Sequence, residues 1–120
     1  VRKRNSNIET IFDSPPDVEV IFEFNGTRKY PTHDGYRPTH LVTENYLTSG
    51  LHRYYDVIEV PTDGRAKGTI TFLSPDAYPA CLWEGKRISI QEGAKIVGYA
   101  TIIKIFNPVL KSVTGCTDME

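Results

Sequence analysis

Asp17-Val18-Glu19-Val20-Ile21-Phe22-Glu23-Phe24 is the stretch that decides the fold class. Val18, Val20, Phe22 and Phe24 recur at every second position, Glu19 and Glu23 fall between them, and only Ile21 breaks the alternation. A period of two belongs to a strand with one buried face, whereas a helix repeats its apolar positions every three to four residues. Asn25-Gly26 follows at once. That dipeptide readily takes positive φ at both turn positions, so the spacing predicts a tight hairpin returning through residues 27–30.

Working outward, further strands are expected over 36–42, 54–60, 68–73, 87–91 and 96–106. The breakers between them are His33-Asp34-Gly35, Thr48-Ser49-Gly50, Pro61-Thr62-Asp63-Gly64, Ser74-Pro75-Asp76, Glu84-Gly85 and Glu92-Gly93. Short strands with turn chemistry between them imply an all-β sandwich or barrel. No stretch carries a long helical stripe with caps. Residues 76–83 read as irregular, with Pro79 blocking a long helix and Trp83 offering a large anchor. Ser14-Pro15-Pro16 is a stiff, extended lead-in. The expected organisation is an arm or linker over 1–16, one domain over 17–106 and a polar tail over 107–120.

At 120 residues the chain has room for one core. Hydrophobic residues make up 39% and charged residues 24%, the balance of an ordinary globular domain. No apolar run approaches the ~20 residues that a spanning helix needs, so no membrane partner is expected. The formal net charge of -1 counts against a generic nucleic-acid binder, which usually carries a clear basic excess. Arg2-Lys3-Arg4 and the closing Asp118 and Glu120 read as solvated ends, with a basic arm toward an acidic partner as the alternative. Cys81 and Cys116 are too few for a disulfide scaffold and fit no zinc spacing, so both are expected to be inert thiols. No apolar leader follows Val1-Arg2-Lys3-Arg4, and a first residue other than Met suits an excised segment. The expected location is the cytoplasm.

Catalytic motifs do not emerge. There is no phosphate-binding G-x-x-x-x-G-K-[ST] loop, and Gly64-Arg65-Ala66-Lys67-Gly68 lacks the Lys-Ser/Thr pair, so it reads as a turn and GTP binding is not expected. Asn25-Gly26-Thr27 matches a glycosylation acceptor by chance. His33, His40 and His52 read as scattered surface histidines, with His40 on a strand and the other two in turns. Ser49-Gly50 lacks the first glycine of a nucleophile elbow. No enzyme activity, cofactor or metal site is expected.

Three motifs in order carry a family resemblance. Gly35-Tyr36-Arg37-Pro38 is the first, and Glu84-Gly85-Lys86-Arg87-Ile88-Ser89-Ile90-Gln91-Glu92-Gly93 is the second. The third is Ala94-Lys95-Ile96-Val97-Gly98-Tyr99-Ala100, running on into Ile102-Ile103-Lys104-Ile105. Together they resemble the C-terminal (third) β-barrel domain of elongation factor Tu over about residues 17–106. The resemblance implies a small closed antiparallel β-barrel of about six strands, elongation factor Tu C-terminal domain-like, without the GTPase of that factor. Residues 76–83 and the tail after Phe106 are extra to the family pattern.

Carried over position by position, the resemblance implies RNA-binding roles for Arg37, Glu92 and Gly93. An arginine fork suits a phosphate, while a carboxylate and a turn amide suit ribose hydroxyls. It also implies a protein-docking face, for which Tyr30, Tyr36, Tyr46, Tyr54, Tyr55, Tyr78 and Trp83 are candidate anchors, or else core plugs. The function expected is therefore a non-catalytic binding module that docks a protein or mimics the factor. The alternatives are weak binding of a tRNA or RNA backbone, and a domain excised from a larger translation factor-like protein.

Overall fold

A computed structural model of the chain describes residues 14–112. Arg2, Lys3, Arg4, Cys116, Asp118 and Glu120 lie outside the described residues. The described residues form eight strands: β1 (Val18–Phe24), β2 (Thr32–His33), β3 (Thr39–Thr43), β4 (Tyr46–Tyr54), β5 (Glu59–Val60), β6 (Arg65–Phe72), β7 (Arg87–Glu92) and β8 (Lys95–Ile105). Six of them close a barrel in the order β1-β6-β4-β3-β7-β8, with β8 returning to β1. Every pairing in it is antiparallel. Strands β2 and β5 form a separate two-stranded ribbon. Among the described residues no helix is long and apolar enough to cross a membrane.

Strand β1 behaves as its period dictates. Val18, Val20, Phe22 and Phe24 are buried, and Glu19, Ile21 and Glu23 alternate with them on the outer face. Phe22 is the hub of the core, with its ring centroid 4.3 Å from His52 and 5.1 Å from Tyr54. The expected Asn25-Gly26 hairpin does not form. Both edges of β1 are already taken, by β6 on one side and β8 on the other, so no edge is left for a returning strand. Asn25 instead receives Thr27 N–H on Oδ1 at 3.1 Å and sends Nδ2 to Ile96 O at 2.9 Å, turning the chain outward.

Three other expectations are corrected by tertiary context. The strand expected from residue 36 starts at Thr39, because Pro38 has no amide to give a ladder. Thr48-Ser49-Gly50, read as a breaker, lies inside β4. A Cβ on Gly50 would fall 2.6 Å from Ile70 Cγ2 and 2.9 Å from His40 Cε1, so the glycine is there to admit its neighbours. The strand expected over 54–60 shrinks to Glu59–Val60, since the backbone turns at Asp56 with φ 61°.

The registers sort the loops onto two ends. Phe24, Tyr54, Thr39, Glu92 and Lys95 finish or start their strands at one end, next to the β2–β5 ribbon. Val18, Phe72 and Ile105 mark the opposite end, where residues 74–86 and 107–112 close the barrel. This second end is plugged by Tyr78, Leu82 and Leu110, all buried, rather than by Trp83, which is only half-buried under the Lys86 ammonium. The segment expected as a polar tail begins packed: Pro108–Leu110 forms a 3-10 turn, and Leu82 bridges to Lys111.

Candidate functional site

Gly93 sits at the tip of the β7–β8 hairpin, one residue past Glu92, which pairs with Lys95 to close the turn. Its φ of 62° followed by an ordinary Ala94 is the geometry of a II′ turn, and a Cβ there would meet nothing within 4 Å. Thr39 pairs with Gln91, so Arg37, two residues upstream, approaches the same turn. Arg37 is exposed, and among the described residues it makes no side-chain hydrogen bond or ion pair. The structure thus brings Arg37, Glu92 and Gly93 to one rim.

Glu92 is not free at that rim. Its Oε2 accepts Arg28 Nε at 2.9 Å and the Tyr36 hydroxyl at 2.5 Å. The Arg28 guanidinium also lies over the Tyr36 ring, 4.7 Å from its centroid, and Nη1 donates to Tyr30 O. Burial, then the bond to Glu92, pushes the Tyr36 phenol well above its ordinary range, so it stays a donor. Arg28 was not a sequence candidate, because only the fold carries the loop over 25–31 back across Tyr36.

Beside this cluster stands the ribbon. Thr32 pairs with Val60 and His33 with Glu59, whose carboxylate also meets His33 Nε2 at 3.1 Å. Asp34 Oδ1 accepts Tyr54 N–H at 2.7 Å and fastens the ribbon to β4. The loop leading into β5 exposes Ile58 by 87% and Val57 by 44%, and Tyr30, on the loop leading into β2, is 66% exposed. Of the seven aromatic candidates, Tyr54 and Tyr78 belong to the core, while Tyr30, Tyr46 and Tyr55 face outward.

Two histidines expected at the surface are fully buried instead. His40 and His52 face each other inside the barrel, with Nε2 to Nε2 at 2.8 Å. His40 Nδ1 lies 3.4 Å from Thr48 O, a carbonyl that only accepts, so Nδ1 carries the hydrogen. His40 Nε2 must then accept from His52 Nε2–H, and His52 Nδ1 accepts from the Tyr54 hydroxyl at 3.0 Å. One direction of donation satisfies the whole chain with both rings neutral. Burial enforces that neutrality, pushing His40 down to about 4 and His52 well below its usual value. The signal was present in sequence: 48, 50, 52 and 54 share one strand face, but Gly50 within Thr48-Ser49-Gly50 hid it.

At the plugged end, Lys86 Nζ donates to Val42 O at 2.6 Å and Cys81 O at 2.8 Å, and burial lowers its pKa. The Cys81 thiol is buried and pushed up by the same cause, the pattern of a structural thiol. Among the described residues no group of three or more His, Cys, Asp or Glu is placed to hold a metal ion. No protein-family model matches this chain.

Proposed function

We propose that the chain is a non-catalytic binding module, a barrel of the elongation factor Tu C-terminal type, whose ribbon-bearing rim docks a protein in the manner of that factor. The observation that carries this reading is the exposure of Ile58 and Val57 on the loop leading into β5, at 87% and 44%, with Tyr30 on the loop leading into β2 also exposed, at 66%. Isolated exposed apolar residues are commonplace, but adjacent ones such as Val57 and Ile58 on one loop suit contact with a partner. The engagement of Glu92 by Arg28 and Tyr36 removes one of the polar groups on which ribose recognition would rely. Near-neutral net charge points the same way.

The test is capture from lysate with the parent chain, with Ile58→Asp and with Tyr30→Ala, each with and without nuclease. A protein retained through nuclease treatment by the parent and lost by both variants is the expected result. Retention unchanged in both variants overturns the assignment of this rim.

A second reading, contact with a tRNA or RNA backbone, is favoured by one feature: the exposed Arg37 guanidinium near the Gly93 turn. It requires affinity that falls steeply with salt and with Arg37→Ala. Binding indifferent to both excludes it.

A further inference from the structure

Three cations surround the Gly93 turn, each on a different segment. Lys29 stands on the loop after β1, Arg37 just before β3 and Lys95 at the first position of β8. All three are exposed, and among the described residues none makes a side-chain hydrogen bond or ion pair. The segments that carry them are fastened to one another. Asn25 Nδ2 donates to Ile96 O at 2.9 Å, Arg28 Nε to Glu92 Oε2 at 2.9 Å, and Thr39 pairs with Gln91. The Tyr36 hydroxyl closes onto the same Glu92 oxygen.

The carboxylates at this end do not balance those charges. Glu92 is engaged by Arg28, Asp34 Oδ1 takes Tyr54 N–H, and Glu59 faces His33. Asp63, beside Gly26, offsets one charge and leaves an excess. The whole chain carries -1, so the sign at this rim is opposite to that of the molecule. Apolar surface adjoins the cations: Tyr30 follows Lys29, Ile96 follows Lys95, and both are exposed.

We propose that the rim takes an acidic peptide segment of its partner, whose Asp or Glu carboxylates meet Lys29, Arg37 and Lys95 while an apolar side chain beside them rests on Tyr30 or Ile96. This rests on the reading of the rim as a protein-docking face, and adds the chemistry of what docks there. Exposed charges at a rim steer the encounter and fix register, and apolar contact beside them supplies affinity. A nucleic acid fits less well. Three cations are few against a chain of phosphates, and bases stack on flat aromatic rings. Three of the four exposed apolar residues here, Val57, Ile58 and Ile96, are branched aliphatics.

The probe is a short fluorescein-labelled peptide repeating leucine, glutamate, serine and glutamate. It is set beside its glutamine analogue and a uridine oligonucleotide of equal charge. Binding to the 15N-labelled full chain is followed by fluorescence anisotropy and by amide shifts. The acidic peptide should shift the amides of 28–30, 37 and 93–96 and bind about tenfold tighter than the glutamine analogue at low salt. Salt at ~0.5 M should erase that advantage. So should the triple variant Lys29→Gln, Arg37→Gln, Lys95→Gln, with far-UV circular dichroism matching the parent's, and the glutamine analogue tests the same charge on the unmutated chain. An acidic peptide that moves no rim amide, an analogue that binds the rim equally well, a folded triple variant that binds like the parent, or an oligonucleotide that outbinds the peptide would each overturn the proposal. An equally bound analogue leaves protein docking at the rim standing, whereas failure to capture any protein from lysate counts against that docking itself.

Discussion

His40 and His52 are neutral in the folded barrel because burial penalises their charge, whereas in the unfolded chain each returns to the ordinary imidazole value of 6.5. The unfolded state therefore takes up protons first as the pH falls, and folding stability drops with it. For His40, whose folded value is about 4, the loss runs from 6.5 down to that value. At 1.36 kcal/mol per unit it amounts to about 3 kcal/mol, with His52 adding to it at lower pH. Urea denaturation at a series of pH values checks this, and a midpoint flat across that window would contradict it. His40 was legible as a strand residue. His52 was not, because Ser49 and Gly50 just before it resemble turn chemistry, and the His40 ring and Ile70 that fill the room left by Gly50 arrive only once β3 and β6 are in place.

At the scale of elements, glycines divide by what surrounds them. A Cβ on Gly98 would sit 2.4 Å from Glu23 O, backbone that cannot yield, because β8 passes tightly beside β1. Gly98→Ala is expected to cost about 3 kcal/mol or to prevent folding. Gly93→Ala should cost only about 1 kcal/mol, since the space is open and the strain is confined to a positive φ. Thermal denaturation of the two variants side by side tests the contrast. Strands β1, β7 and β8 could be placed from alternation and flanking turns alone. Asn25-Gly26 misled for a reason that belongs to pairing: a hairpin needs a free edge, and closure of the barrel leaves β1 none.

For the molecule as a whole, Asp17 holds the plugged end together. Its buried carboxylate accepts Phe72 N–H at 2.7 Å and Asn107 Nδ2 at 2.9 Å, while its carbonyl accepts Phe106 N–H at 2.8 Å. It joins the start of β1 to the exits of β6 and β8, so removing it strands donors from two segments. Asp17→Ala should destabilise by about 3 kcal/mol, read from urea denaturation at neutral pH. A loss under ~1 kcal/mol would show that water replaces those bonds. The plug and the rim lie at opposite ends, so this variant should weaken the barrel without selectively abolishing partner capture.

The sequence by itself determined that the chain is all-β and where its strongest strands run, because alternation and turn residues are local properties of the backbone. It also brought out Arg37, Glu92 and Gly93, and the barrel sets them at one rim. Only the tertiary structure decided that Glu92 is held by Arg28 and Tyr36, that two histidines meet in the core, and that Ile58 stands exposed beside the ribbon. Those facts depend on contacts between residues 12 to 64 positions apart, set by barrel closure and ribbon pairing rather than by any local pattern.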